Sequence, residues 1–428
     1  MKNEHKRVGV FGQVIGIPAF RYLWVAQLCS QLAANALLFV LALRVYEATK
    51  SNTAVSVLFL VYGLAALLFG VAGGTIVDKL DSRRVLVGCD LGRAGLVLGF
   101  LLFPNNIVAI YILMFLNAII TQLYVPAEAP TIPRIVPSNL LVAANSLFSF
   151  TYFTSLAVGS TLAGPLLRLF GVTGVFLFLF FLFLVAGWNA SRIPIVKKKI
   201  FDLSSLSSFS LADILSKFVR NTTEGFQYVR KSPVLAEALV FLAGTQVILA
   251  ILGTLAPGFA DRVLQVDLRD ATLLITGPVV LGIILGALWV GHVGSAYRPV
   301  CLIERGIMGG GILLFLISFI VWGSRALALS RVYREGIVLP LLLVLFFFLG
   351  VANSFLDVPA NSILQKEAQG DVRGRVYGIL TSAVGGIGIL PVVLGGILAD
   401  TIGSVNVMFL MGLLITLYGL FRRSRLTI

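Results

Sequence analysis

Apolar runs of membrane-spanning length recur along almost the whole sequence, and they leave few folds open to it. Ile107 to Val125, Val172 to Ala190 and Val338 to Leu356 each match the roughly 20 apolar residues that cross a bilayer as a helix. Only 12% of the 428 residues are charged and 58% are hydrophobic, whereas a soluble domain has about a quarter of its residues charged. A soluble fold with one core does not accommodate so many such runs. The reading is an all-α integral membrane protein.

Hydropathy and helix breakers place twelve spans near 22–46, 54–77, 84–103, 107–126, 139–168, 171–190, 234–256, 271–291, 299–322, 337–357, 374–398 and 403–421. The first run has no small-residue cleavage site before Arg44 and Tyr46 and is expected to be retained rather than removed as a signal peptide. The net charge of +14 reads as a topology signal, not as a nucleic-acid footprint, because of how it is distributed. Of the 33 Lys and Arg, 23 fall on the side that carries the N-terminus and eight on the other, with Arg93 and Arg305 inside spans. An excess of Lys and Arg marks the cytoplasmic face. Both termini are therefore expected in the cytoplasm, and the chain as a multi-pass protein of the cell (inner) membrane.

The one long connection divides the chain into an N-terminal six-helix bundle over 1–190, a linker over 191–232 and a C-terminal six-helix bundle over 233–428. Inside the linker Leu211, Ile214, Leu215, Phe218 and Val219 recur at helical spacing after Ser210, which suggests an in-plane or packed amphipathic helix. A repeat supports the halving. Phe115-Leu116 and Val125-Pro126-Ala127 return as Phe348-Leu349 and Val358-Pro359-Ala360, so the two bundles read as pseudo-symmetric parallel repeats. Cys29, Cys89 and Cys301 lie in or beside apolar runs and read as small buried hydrophobes, without a disulfide or metal framework. With only His5 and His292 as histidines and no phosphate-binding Gly-rich loop, neither an enzyme nor an ATP-driven machine is expected, and no cofactor or metal.

Between spans two and three stands Gly74-Thr-Ile-Val-Asp78-Lys79-Leu-Asp81-Ser-Arg83-Arg84, and here the chain resembles the major facilitator superfamily. Phe20-Arg21-Tyr22-Leu23-Trp24, Asp90-Leu-Gly-Arg93, Arg373-Gly374-Arg375-Val376 and Gly395-Gly396-Ile-Leu-Ala-Asp400 are similar to its branch of macrolide and siderophore exporters. The resemblance implies a monomeric secondary transporter of a small molecule, embedded in the bilayer; protons are the candidate coupling ion, although Gln27, Gln31 and Asn35 stand in span one where many relatives carry an acidic residue. It further implies a cytoplasmic latch in which Gly74, Asp78, Lys79, Arg83 and Arg84 meet Arg373 or Arg375. Gly159, Gly164 and Pro165 resemble the antiporter signature that shapes span five, although Leu166 and Leu167 stand where that signature often has glycine.

Charges at membrane depth are costly and are functional candidates by default. Asp90 and Arg93, three residues apart on one face, are expected to neutralise each other. Glu128 and Asp357 flank the repeated Val-Pro-Ala segments and are candidate proton or substrate sites. Gln31 and Asn35 in span one, with Gln246 and Asn353, would give a weakly polar, uncharged site; each amide reads equally as interhelical hydrogen bonding. The sequence thus predicts an exporter of a hydrophobic or amphipathic solute, with a lysophospholipid or neutral-metabolite transporter, or a non-transporting sensor, as the alternatives.

Overall fold

A computed structural model describes residues 10–77, 80–194, 230, 232–293, 297–327, 334–367 and 388–426. Its long helices are α1 (Pro18–Thr49), α2 (Asn52–Val77), α3 (Ser82–Leu102), α4 (Ile107–Glu128), α5 (Leu141–Ser191), α6 (Pro233–Phe259), α7 (Gly277–Val293), α8 (Pro299–Ala326), α9 (Leu339–Glu367), α10 (Ile389–Thr401) and α11 (Ser404–Leu426). A chain without water for its backbone groups must satisfy them within the helix. Several helix starts carry polar caps. Asp81 accepts from the Arg84 N–H at 3.0 Å, Asn106 from Ala109 N–H at 3.0 Å and Ser232 from Leu235 N–H at 3.3 Å.

Ten helices among the described residues are long and apolar enough to cross a membrane. At 1.5 Å per residue the 51 residues of α5 would extend about 75 Å, far beyond a hydrocarbon core of about 30 Å. Its one residue with non-helical φ/ψ is Gly171, at φ 64°, which falls where spans five and six were expected to meet. Only the part of span eleven from 388 onward lies among the described residues. Span eight opens as a π-helical turn over Thr272–Thr276 before α7, and α9 continues to Glu367, past the expected end at 357. Hydropathy marks the lipid-facing stretch, whereas helical hydrogen bonding carries on into polar sequence.

The chain divides into two compact units, Met1–Leu41 with Leu68–Ser216 and Ala42–Leu67 with Lys217–Ile428. Helices α1 and α2 therefore each contribute to both. In the first unit α3 lies along α4 and α5, around Phe20, Leu86, Tyr124 and Phe148. The Phe20 and Phe148 rings sit 5.6 Å apart, and Trp24 Nε1 donates to Thr151 Oγ1 at 2.7 Å. In the second unit α9 packs against α6, α7 and α8, with Phe259, Leu314, Leu342 and Phe346 at its centre. Lipid is as apolar as leucine, so such interiors are held by close packing and interhelical hydrogen bonds rather than by hydrophobic expulsion.

Candidate functional site

The first unit buries a charged cluster at the meeting of α1, α3 and α4. Asp90 is 0% and Arg93 3% exposed, and their nearest charged atoms are 3.9 Å apart. Ser30 of α1 stands between them: its Oγ donates to Asp90 Oδ1 at 2.6 Å and accepts from Arg93 at 2.7 Å. The other terminal nitrogen of Arg93 donates to Thr121 Oγ1 of α4 at 3.0 Å. Its guanidinium carbon lies 4.8 Å from the centre of the Tyr124 ring and 5.8 Å from that of Phe183. The pair expected from spacing is thus a three-helix network, and Ser30, Thr121 and Tyr124 carried no charge by which a sequence reading would have found them.

Glu128 follows Tyr124 by one helical turn and is only 7% exposed, so it is not an interfacial, solvated carboxylate. It interacts electrostatically with both Asp90 and Arg93. Glu128 Oε1, Asp90 Oδ2, Arg93 Nε and Gln27 Oε1 are buried without a hydrogen-bond partner among the described residues. The cluster brings two carboxylates to one guanidinium, so one Arg cannot neutralise both. Orphaned buried polar atoms are costly, which makes this the most chemically poised region of the first unit.

Asp357 occupies a different environment. In the second unit it accepts from Asn361 Nδ2 at 3.1 Å and interacts with Thr245 of α6. The repeat explains the contrast: Tyr124-Val-Pro-Ala-Glu128 in one half becomes Asp357-Val-Pro-Ala-Asn361 in the other. The carboxylate has exchanged ends of the same segment.

Of the amides, Gln31 and Asn35 are half-buried in the first unit, and Asn35 Nδ2 is buried without a partner. In the second unit Gln246 is exposed and Asn353 half-buried. Gly159 is where α5 crosses α1: a Cβ there would lie 2.9 Å from the Ala36 nitrogen and from Asn35 Cβ. Gly164 is buried and Pro165 half-buried within the same helical arm. In the loop motif Gly74 lies in the last turn of α2, Arg83 is half-buried and Arg84 exposed. Asp78, Lys79, Arg373, Arg375 and the linker helix fall outside the described residues. Cys89 is buried, but Cys301 is exposed, unlike the small buried hydrophobe expected there.

One construction of the second unit was not anticipated. The Asp400 carboxylate accepts from Ser51 Oγ at 2.6 Å, Thr53 Oγ1 at 2.8 Å, the Asn52 and Thr53 N–H groups at 2.9 Å and Asn52 Nδ2 at 3.1 Å. It thereby caps the start of α2 from the end of α10. Arg262 lies 3.7 Å from Asp400 and donates to the Lys50 carbonyl, while Lys50 and the Tyr46 hydroxyl each reach Asp261 at 3.3 Å. Gly396, one turn before Asp400, allows the approach, since a Cβ there would meet the Asn52 carbonyl at 2.8 Å.

The fold and these clusters can be set beside known proteins. The description "Major Facilitator Superfamily" fits residues 23–329. The chain belongs to that superfamily. It is accordingly a membrane transporter and not an enzyme. It is 24% identical over 395 residues to the uncharacterized MFS-type transporter YfiS of Bacillus subtilis (strain 168), covering 90% of this chain and 87% of that protein. Macrolide efflux protein A of Streptococcus pyogenes is 23% identical over 408 residues, 92% of this chain and 93% of its own. Among solved structures, the POT family transporter PepTSo matches with a TM-score of 0.69 at 14% identity, over 95% of this chain and 98% of that one. The nucleoside transporter NupG matches at 0.68 and 13%, over 94% and 98%. At such identities the structures share the fold with this chain and nothing narrower.

Proposed function

We propose that this transporter exports a hydrophobic or amphipathic small molecule by alternating access, in exchange for protons, with Glu128 as the group that carries the proton. The observation behind this reading is the buried cluster of Asp90, Arg93, Ser30, Thr121, Tyr124 and Glu128. One guanidinium balances one carboxylate, so the second charge calls for a proton or for a cationic group of the solute. Two ligands that compete for one carboxylate cannot be held together, and that competition converts an inward proton gradient into outward solute movement. The resemblance to macrolide efflux protein A over more than nine-tenths of both chains favours efflux of a bulky amphiphile over uptake of a sugar or polyanion. In this reading the protein works as a monomer in the cell membrane with both termini in the cytoplasm. The loop of Gly74, Asp78, Lys79, Arg83 and Arg84 would latch against Arg373 or Arg375 on that side. Asp357, held by Asn361, and the amides Gln31, Asn35, Gln246 and Asn353 would contribute polar contacts to the solute.

The test is flux of a fluorescent hydrophobic cation in proteoliposomes with and without an imposed pH gradient. The native chain is expected to move the probe against the proton gradient, and Glu128→Gln to lose the response to pH while keeping downhill exchange. A Glu128→Gln variant that still concentrates the probe in response to pH would overturn the assignment, and absence of any gradient-driven flux in the native chain would overturn proton coupling itself.

A further inference from the structure

On the first unit, α3 and the second arm of α5 enclose an apolar groove of about 520 Å³ lined by Val87, Leu91, Phe181, Leu184, Trp188 and Ser191, among others. Trp188 is 63% exposed and Leu91 50%, on a face that neighbouring helices leave open. From Phe181 to Ser191 the groove runs about 15 Å at 1.5 Å per residue, half of a hydrocarbon core of about 30 Å. It is as deep as one leaflet. Beside the Val87 and Ser191 end of this lining stand two arginines. Arg84 lies one turn before Val87 on the face that continues to Leu91, and Arg192 follows Ser191, its guanidinium carbon 4.7 Å from the centre of the Trp188 ring. Both are exposed, and no carboxylate among the described residues pairs with either.

An acyl-shaped groove one leaflet deep, with two exposed guanidinium groups beside its end at the level where helices leave the membrane, has the complementarity of one kind of ligand. We infer that the groove between α3 and α5 is a binding site for an anionic phospholipid, with one acyl chain along Leu91, Phe181 and Leu184 and the phosphate between Arg84 and Arg192. Trp188 sits at the boundary, its ring against the upper chain and its other face under Arg192, where an aromatic with one apolar and one wet side is favoured. A guanidinium presents a planar fork of donors to a phosphate and stacks on an aromatic ring at the same time, which a lysine would not do. The lipid belongs to the leaflet that meets the Arg84 loop, and in the orientation proposed above that is the cytoplasmic leaflet. The site is separate from the Glu128 cluster and holds whether or not transport is proton-coupled.

The purified, delipidated full chain in detergent can be titrated with dioleoylphosphatidylglycerol, dioleoylphosphatidylcholine and glycerol phosphate, with bound lipid counted by native mass spectrometry and melting followed in parallel. A lipid that binds the folded chain raises its melting temperature. The phosphatidylglycerol is expected to bind as one tight copy and to raise melting more than the other two. Each basic residue beside an anionic lipid is worth roughly a fivefold change in affinity, so Arg84→Gln or Arg192→Gln should weaken that copy about fivefold and the double variant about thirtyfold. Leu91→Trp, which fills the groove and keeps both arginines, should remove the copy as well. Equal binding of phosphatidylcholine, or a double variant that keeps the tight copy, overturns the proposal. Equal stabilisation by glycerol phosphate would leave the arginines as an anion site without an acyl groove and overturns it too. Lipid-free melting of each variant at the native temperature shows that a lost copy is not a lost fold.

Discussion

Arg93 joins three helices through one side chain because its planar guanidinium points donors in two directions, to Ser30 of α1 and to Thr121 of α4, while its own helix supplies Asp90. Removing one member of such a pair leaves a buried charge uncompensated. Arg93→Leu is therefore expected to destabilise the chain by about 3 kcal/mol, the range seen when a buried ion pair is broken from one side. Adding Asp90→Asn should return much of that loss, since the asparagine can still accept from Ser30 and only Glu128, the group assigned the proton, is left to ionise. Melting of the single and double variants in detergent measures the coupling; equal losses in Arg93→Leu and in the double variant would show that the two charges do not depend on each other. Arg93→Lys is expected to fall in between, because a point charge cannot span both hydroxyls.

At the scale of elements, the turn between α1 and α2 is held from outside itself. Lys50 sits at φ 53°, a left-handed conformation that usually falls to glycine after a helix. The neighbouring groups offset that cost: its amide bonds back to the Tyr46 carbonyl at 2.7 Å, and Arg262 donates to its carbonyl. The Asp400 carboxylate then satisfies the first free N–H groups of α2. Deleting a helix cap alone costs about 1 kcal/mol, and hydrogen bonds to a charged group about 2 kcal/mol each, not additively. Asp400→Ala should lower stability by roughly 3 kcal/mol. Since α1 and α2 contribute to both units, it should also free the turn. A cysteine placed at Ser51 is expected to react with a membrane-impermeant maleimide several-fold faster in the Asp400→Ala background, and an unchanged rate would show that the carboxylate does not hold the turn.

For the whole molecule the charge distribution makes a prediction that needs no knowledge of substrate. Twenty-three of 33 basic residues lie on one side of the twelve expected spans, so in a background without native cysteines Asn105→Cys, between α3 and α4, should label in intact cells. Ser138→Cys, after α4, should label only once the membrane is permeabilised. The reverse pattern would invert the topology and, with it, the leaflet that supplies the lipid to Arg84 and Arg192. The two halves also illustrate how a duplicated scaffold diverges. Both keep the Val-Pro-Ala segment, but the positions held by Tyr124 and Glu128 in one half are held by Asp357 and Asn361 in the other, so the repeated segments differ in where their charge lies.

What the sequence determined by itself is what the membrane dictates locally. A bilayer demands apolar helices of fixed length, and these are written in consecutive residues, so the membrane-spanning helical class, the repeat and the family are legible in the sequence. The Asp90–Arg93 spacing was legible for the same reason, being one helical turn. Tertiary structure alone decided which uncharged side chains complete the cluster, since Ser30 and Arg93 are 63 residues apart and Thr121 is 28 from Arg93. It alone brought Asp400 to Ser51, 349 residues away. Local periodicity carries no record of such distant contacts, because any helix face compatible with lipid is also compatible with another helix, and only the packed chain selects between them.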